Sequence, residues 1–214
     1  MDGISGTALC NDLEEFNTQL NDPVEELYRK LIKQIQKLFP TLHMGYLESC
    51  GCAALANCMS VTKHGREIQK EICKTKGVYN SQASHIYIGY LNDPSNYPKL
   101  EQARIASGAP KIGAANIQGN RVPQYYYWVA LDVLGINSDF KWNSSFDELK
   151  NIVIRGNPAQ VCKINPGHYI AVKAYDRIKD ELIYDDSWMG PNKRLTRQDV
   201  KTNIQNFRIR YFVK

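Results

Sequence analysis

The spacing of apolar residues changes once along this chain of 214 residues, near Gly156, and that change restricts the fold more than any other feature. Upstream, apolar side chains recur every three or four positions, which gives a helix one buried stripe. In 22–39 the stripe is Val24, Leu27, Tyr28, Leu31, Ile32, Ile35, Leu38 and Phe39. Asp22 suits the N-cap, Pro23 the first helical position and Glu25 a capping box, while Pro40 ends the helix. Further helices are predicted from Cys50 to about Val61, around 67–74 closing by Gly77, and from Pro123 to Gly135. Another starts at Ser144 or Ser145 and stops before Gly156. Residues 78–122, rich in Gly, Ser, Asn and Pro, read as loops with short elements, and long spans of that kind are often functional. Downstream, 159–164, 168–175, 181–184 and 207–213 read as strands, with a turn at 176–180. Helices first and consecutive strands second is the α+β pattern, a helical part packed on an antiparallel sheet.

Composition narrows the classes of function. The length suits one domain, and 43% hydrophobic residues with 10% aromatic ones argue against global disorder. No apolar run approaches the ~20 residues needed to cross a bilayer. The first residues, 1–6, lack a basic region followed by an apolar stretch, so the expectation is a cytoplasmic protein or one released without a signal peptide. The net charge of +5 is spread along the chain. It favours anionic surfaces by long-range attraction but forms no block of the kind that binds nucleic acid. Six cysteines, at 10, 50, 52, 58, 73 and 162, are then expected as thiols rather than disulfides.

One cluster of residue types can carry chemistry. A thiol attacks only as the thiolate, and a helix N-terminus or a nearby imidazolium lowers its pKa. Cys50 stands where loop turns into helix, and Gly51, Ala53 and Ala54 allow another layer to approach that first turn. A base must come from elsewhere in the fold, oriented by a third group. His168 opens a strand directly after Asn165-Pro166-Gly167, so its imidazole is expected to emerge at a strand edge. Asp185 and Asp186 end the following strand. A hairpin would bring one carboxylate to the imidazole, and strand alternation lets only one of the two face it.

The local words around these residues resemble a known family. Cys50-Gly51-Cys52-Ala53-Ala54-Leu55-Ala56-Asn57-Cys58-Met59 is similar to the nucleophile helix of papain-like cysteine peptidases, in the branch typified by bacteriocin double-glycine leader peptidases. Gly167 to Asp176 resembles that branch's histidine strand, and Asp185-Asp186-Ser187-Trp188-Met189-Gly190 its acidic segment. Phe146-Asp147-Glu148-Leu149-Lys150, running on to Gly156-Asn157-Pro158, resembles the helix and turn before the histidine strand. The resemblance covers about 42–60 and 144–213.

It implies a papain-like domain over 41–214 with an insert at about 78–122, preceded by a helical extension over 1–40. It also implies Cys50 as nucleophile, His168 as base and Asp186 as orienting acid, Asp186 being preferred over Asp185 because it directly precedes Ser187-Trp188. The implied reaction is hydrolysis of a peptide amide without cofactor or metal. For a chain with neither membrane spans nor a P-loop, the implied substrate is a peptide or the peptide part of peptidoglycan, as for a lysin. The 22–39 helix is expected to pack on the domain, to dock a partner or to act as an activation segment. One departure stands out: relatives carry a Gln shortly before the nucleophile as an oxyanion donor, whereas Met44 occupies that region here, with His43 as a weak substitute. Loss of such a donor costs about 2.7–4 kcal/mol of transition-state stabilisation.

Two other classes compete. A papain-like domain can bind a peptide without cutting it. Alternatively, Cys50, Cys52, Cys58 and His64 could ligate a structural metal, although Cys-x-Cys is tighter than a usual zinc knuckle.

Overall fold

The computed structural model describes residues 4–6, 50–106, 123–142, 144–163 and 167–211. The helix expected at 22–39, and the stretch holding His43 and Met44, lie outside the described residues. Element order is β1 (Ile4–Gly6), α1 (Cys50–Ser60), α2 (Lys63–Lys76), α3 (Ala83–Asn92), α4 (Tyr97–Ala106) and α5 (Pro123–Leu134). There follow β2 (Ser138–Trp142), α6 (Phe146–Ile154), β3 (Ala159–Lys163), β4 (His168–Asp176), β5 (Glu181–Asp186), β6 (Gly190–Leu195), α7 (Arg197–Asn203) and β7 (Ile204–Tyr211).

The helix starts follow local chemistry. Ser145 caps α6 by accepting the Glu148 N–H, with Asp147 and Glu148 in the first turn where the helix dipole favours carboxylates. Thr62 caps α2 in the same way through the Gly65 N–H, so α2 begins four residues before the predicted start at 67. Gly77, at φ 65°, ends it in the left-handed region that glycine enters without steric cost.

The loop expectation for 78–122 needs correction where the chain is described. Two helices, α3 and α4, occupy 83–92 and 97–106, each preceded by a single 3-10 turn. Their local signals are weak because Gly89, Asn92, Pro94 and Pro98 interrupt the composition. What holds them is tertiary burial: Tyr87, Leu91 and Leu100 are shielded almost completely. The Asp93 side chain accepts the Ser95 N–H, so the Asp-Pro pair starts a turn instead of extending a loop.

Every strand pairing is antiparallel, in the order β2-β7-β3-β4-β5-β6, with β1 pairing β4 beyond the end of β3. The α+β class stands, but the segregation is less strict than expected: β1 and β2 precede α6, and α7 separates β6 from β7. β4 and β5 form the hairpin, in which Ala171 faces Asp185 and Val172 faces Tyr184. Alternation along β4 divides the core. Ala171 joins the cluster built from α1, α3 and α5, including Leu55, Met59, Tyr87 and Tyr126. Ile170 and Val172 join a second cluster with Phe146, Leu149 and Val153 of α6 and Val200 of α7. Helices therefore cover both faces, and α1, buried along its whole length, lies against β4 and β3.

Candidate active site

Cys50 is the first residue of α1, where the first-turn backbone N–H groups point along the axis and the helix dipole favours a negative charge. Two contacts fix this end of the helix. The buried Gln160 amide of β3 donates to the Gly51 carbonyl at 2.7 Å. On the other side the Tyr126 ring of α5 sits against the Gly51 Cα, so near that a Cβ there would lie 2.0 Å from the ring. Tyr126 packs edge-on against Tyr169 of β4 with centroids 5.0 Å apart. The close layer expected from Gly51 is thus an aromatic ring, and the Cys50 backbone is set by β3, α5 and β4 together.

His168 opens β4, as the sequence suggests, but its imidazole does not emerge at an open edge. It is 1% exposed, because β3 and β5 flank β4 and the Trp188 indole stacks over the ring at 4.1 Å and 19°. Its Nε2 lies 2.8 Å from Asp186 Oδ1. The same oxygen accepts the backbone N–H groups of Trp188 at 2.8 Å and Met189 at 3.1 Å, so a tight turn after β5 grips the carboxylate. Burial alone would raise the Asp186 pKa; the hydrogen bond and charge of His168, with the two backbone donors, outweigh it and hold the carboxyl below the usual range. An ionised Asp186 can only accept, so Nε2 carries the proton and donates to it, which leaves Nδ1 to face away from the carboxylate. His168 Nδ1 is buried and has no hydrogen-bond partner among the described residues.

Asp185 and Asp186 point to opposite sides, as alternation requires. Asp186 meets His168, whereas Asp185 Oδ1 meets the ammonium of Lys173 at 2.6 Å, both residues being buried. Cys162 of β3 neighbours both ends of the site. The His168 backbone N–H donates to the Cys162 sulfur, and Cys162 donates to the Lys163 carbonyl at 3.3 Å. Burial pushes the Cys162 thiol up to about 12; the His168 N–H opposes this, and the neighbouring Cys50 adds to it. Cys162 therefore stays protonated, touching one residue of interest and lying near the other. Sequence reading missed Cys162, Gln160 and the stacking of Trp188. Only Trp188 had a local signal, its place two residues after Asp186; the others act across strands.

The remaining cysteines fit structural roles. Cys52 and Cys58 are fully buried on α1, and burial raises the Cys58 pKa well above the ordinary thiol value, with Asp185 adding to the rise and Lys173 opposing it. None of Cys50, Cys52, Cys58, Cys73 and Cys162 is in a disulfide. Among the described residues no group of three or more His, Cys, Asp and Glu side chains could hold a metal ion, so the metal-module reading finds no site there. No helix among them is long and apolar enough to cross a membrane.

No curated protein matches the chain at a significant level. The model of the Peptidase_C39 like family matches residues 26–212, which takes in α1, the β4–β5 hairpin and both ends of the sheet. With most of its length so matched, the chain belongs to the Peptidase_C39-like family, a relative of papain-like cysteine peptidases.

Proposed function

We propose that the protein hydrolyses peptide amide bonds with Cys50 as nucleophile, His168 as general base and acid, and Asp186 as the group that orients the imidazole. The observation that carries this reading is the division of labour on one ring. Nε2 is engaged by a carboxylate while Nδ1 is left buried and unpartnered among the described residues. The Cys50 sulfur gives its proton to Nδ1 and bonds to the substrate carbonyl carbon. As the tetrahedral intermediate collapses, the C–N bond breaks and Nδ1 returns the proton to the departing amine. Water, deprotonated at the same nitrogen, then cleaves the thioester and restores the thiol. Asp186 keeps Nε2 protonated throughout and stabilises the imidazolium. Trp188 covers the His168–Asp186 hydrogen bond and keeps it in a low dielectric, where it is stronger.

In this reading 41–214 is the peptidase domain, 1–40 a helical extension, and the substrate a peptide or the stem peptide of peptidoglycan. The +5 charge suits an anionic wall polymer. The test is incubation with peptidoglycan and with a peptide library, reading new termini by mass spectrometry, for the wild type and C50A. New termini in one substrate, absent with C50A, are expected. Equal cleavage by C50A removes Cys50 from the reaction, and binding without cleavage by the wild type points to a recognition domain. Iodoacetamide at neutral pH is expected to label Cys50 well ahead of Cys73, whose thiol burial holds up.

A further inference from the structure

The proposed triad leaves a buried ion pair unused. Lys173 and Asp185 are 0% and 1% exposed, and burying both charges is costly unless geometry and extra hydrogen bonds compensate. Their positions in the sheet give the pair a specific task. On β4 the register with β5 runs Val172↔Tyr184 and then Ala174↔Ile183, so Lys173 is an extra residue, a β-bulge. On the other side of β5 the register with β6 runs Tyr184↔Lys193 and then Asp186↔Gly190. Two β6 residues, 191 and 192, there oppose the single Asp185, which makes a second bulge. Asn192, inside it, has φ 57°, the left-handed conformation. Asp185 Oδ1 accepts from both bulges at once: from Lys173 Nζ at 2.6 Å and from the Asn192 N–H at 2.9 Å.

Bulges bend a strand, increase its twist and re-aim the side chains that follow. The residue that follows Asp185 is Asp186.

We propose that Lys173 and Asp185 are positioning residues: one carboxylate oxygen pins the irregular residues of both neighbours of β5, and so aims Asp186 at His168. This rests on the triad reading above. Neither residue touches substrate. The helix that begins with Cys50 packs on β4 and β5, the strands that carry the pair, and both charges act on the buried Cys58 thiol of that helix. Asp185 has its own pKa raised, by burial first, against the pull of Lys173 and the Asn192 N–H.

The test replaces the pair by apolar residues of similar length, K173M/D185L. Such exchanges commonly preserve folding, so a purely structural pair would leave activity untouched. The expected result is a cooperatively folded protein whose kcat falls at least tenfold while KM stays within about twofold. D185N, which keeps an oxygen acceptor for both donors, is expected to recover at least a third of the wild-type kcat. An activity-independent readout is the low-field proton resonance of His168 Nε2–H. It is expected in the wild type and in D185N, and lost or shifted upfield in K173M/D185L. If the double variant does not fold, K173M alone carries the test, because it removes the β4 contact and Asp185 can take up a proton. Wild-type kcat with an unchanged resonance in K173M/D185L, or in K173M, overturns the proposal. If the wild type shows no cleavage of any peptide, the peptidase reading fails, yet the resonance still decides whether the pair positions Asp186.

Discussion

Replacing Gly51 by Ala tests how the start of the helix that begins with Cys50 is held, because helix propensity and packing predict opposite signs. Helix propensity favours Ala over Gly by up to about 1 kcal/mol in a helix interior. On that ground alone G51A stabilises the protein. Packing says otherwise. The added Cβ would stand 2.0 Å from Tyr126 Cζ and 2.2 Å from its hydroxyl oxygen, where real Cβ atoms essentially never approach within 3.0 Å. Ring or helix must therefore move by about 1 Å. Tyr126 is 1% exposed and braced by Tyr169, and the opposite side of the helix start is tied to Gln160 through the Gly51 carbonyl. Overpacking of this kind costs about 1–3 kcal/mol. After a propensity gain of about 1 kcal/mol, the net loss is expected at about 0–2 kcal/mol.

Activity is expected to suffer more, since a 1 Å misplacement of a reacting group can cost about 100-fold. Urea midpoints give the stability, and kcat/KM or the Cys50 alkylation rate gives the site. The control is Y126L, whose shorter side chain no longer reaches Gly51. In that background the Ala substitution is expected to be neutral or stabilising, a coupling of about 1–3 kcal/mol. A stability gain from G51A in the wild-type background, or the same loss in both backgrounds, refutes the close-approach argument.

Two further outcomes follow from the carboxylate and its cover. Asp186 has a folded-state pKa below its unfolded value of about 3.9, so it contributes stability above that pH and loses it as pH falls through the folded value. D186N is therefore expected to flatten the acid limb of stability against pH, read from urea midpoints between about pH 2 and 6; an unchanged limb would show that His168 and the turn do not hold the carboxylate. W188A removes a stacked partner worth about 0.5–1.5 kcal/mol and admits water to the His168–Asp186 bond, so kcat is expected to fall roughly 3–10-fold with the fold retained by circular dichroism. A W188A enzyme with wild-type kcat would remove the shielding role.

Local chemistry wrote several elements directly into the sequence. The Ser145 cap, the short apolar runs of β3 to β5 and the helix beginning at Cys50 need only near neighbours to be recognised. So does the alternation that separates Asp185 from Asp186. Other elements left no such trace. The strand Gly190–Leu195 is an edge strand, buried only at its last residue, so it has no alternating pattern to read. Helices α3 and α4 sit in a composition of Gly, Asn and Pro and owe their form to a core supplied by α1 and α5. His168 looked like an edge residue because the indole that covers it arrives from 20 positions away, after the hairpin has closed.

By itself the sequence determined the α+β class, a helical part followed by the β3–β5 strands, the place of a thiol at a helix start, and the candidacy of one histidine and one of two aspartates. The tertiary structure alone decided which aspartate reaches His168, that Tyr126 rests on Gly51, and that Lys173 and Asn192 share an oxygen of Asp185. The reason is range. Caps and periodicity are set by residues a few positions apart, whereas these contacts join separate elements and exist only once the layers have packed.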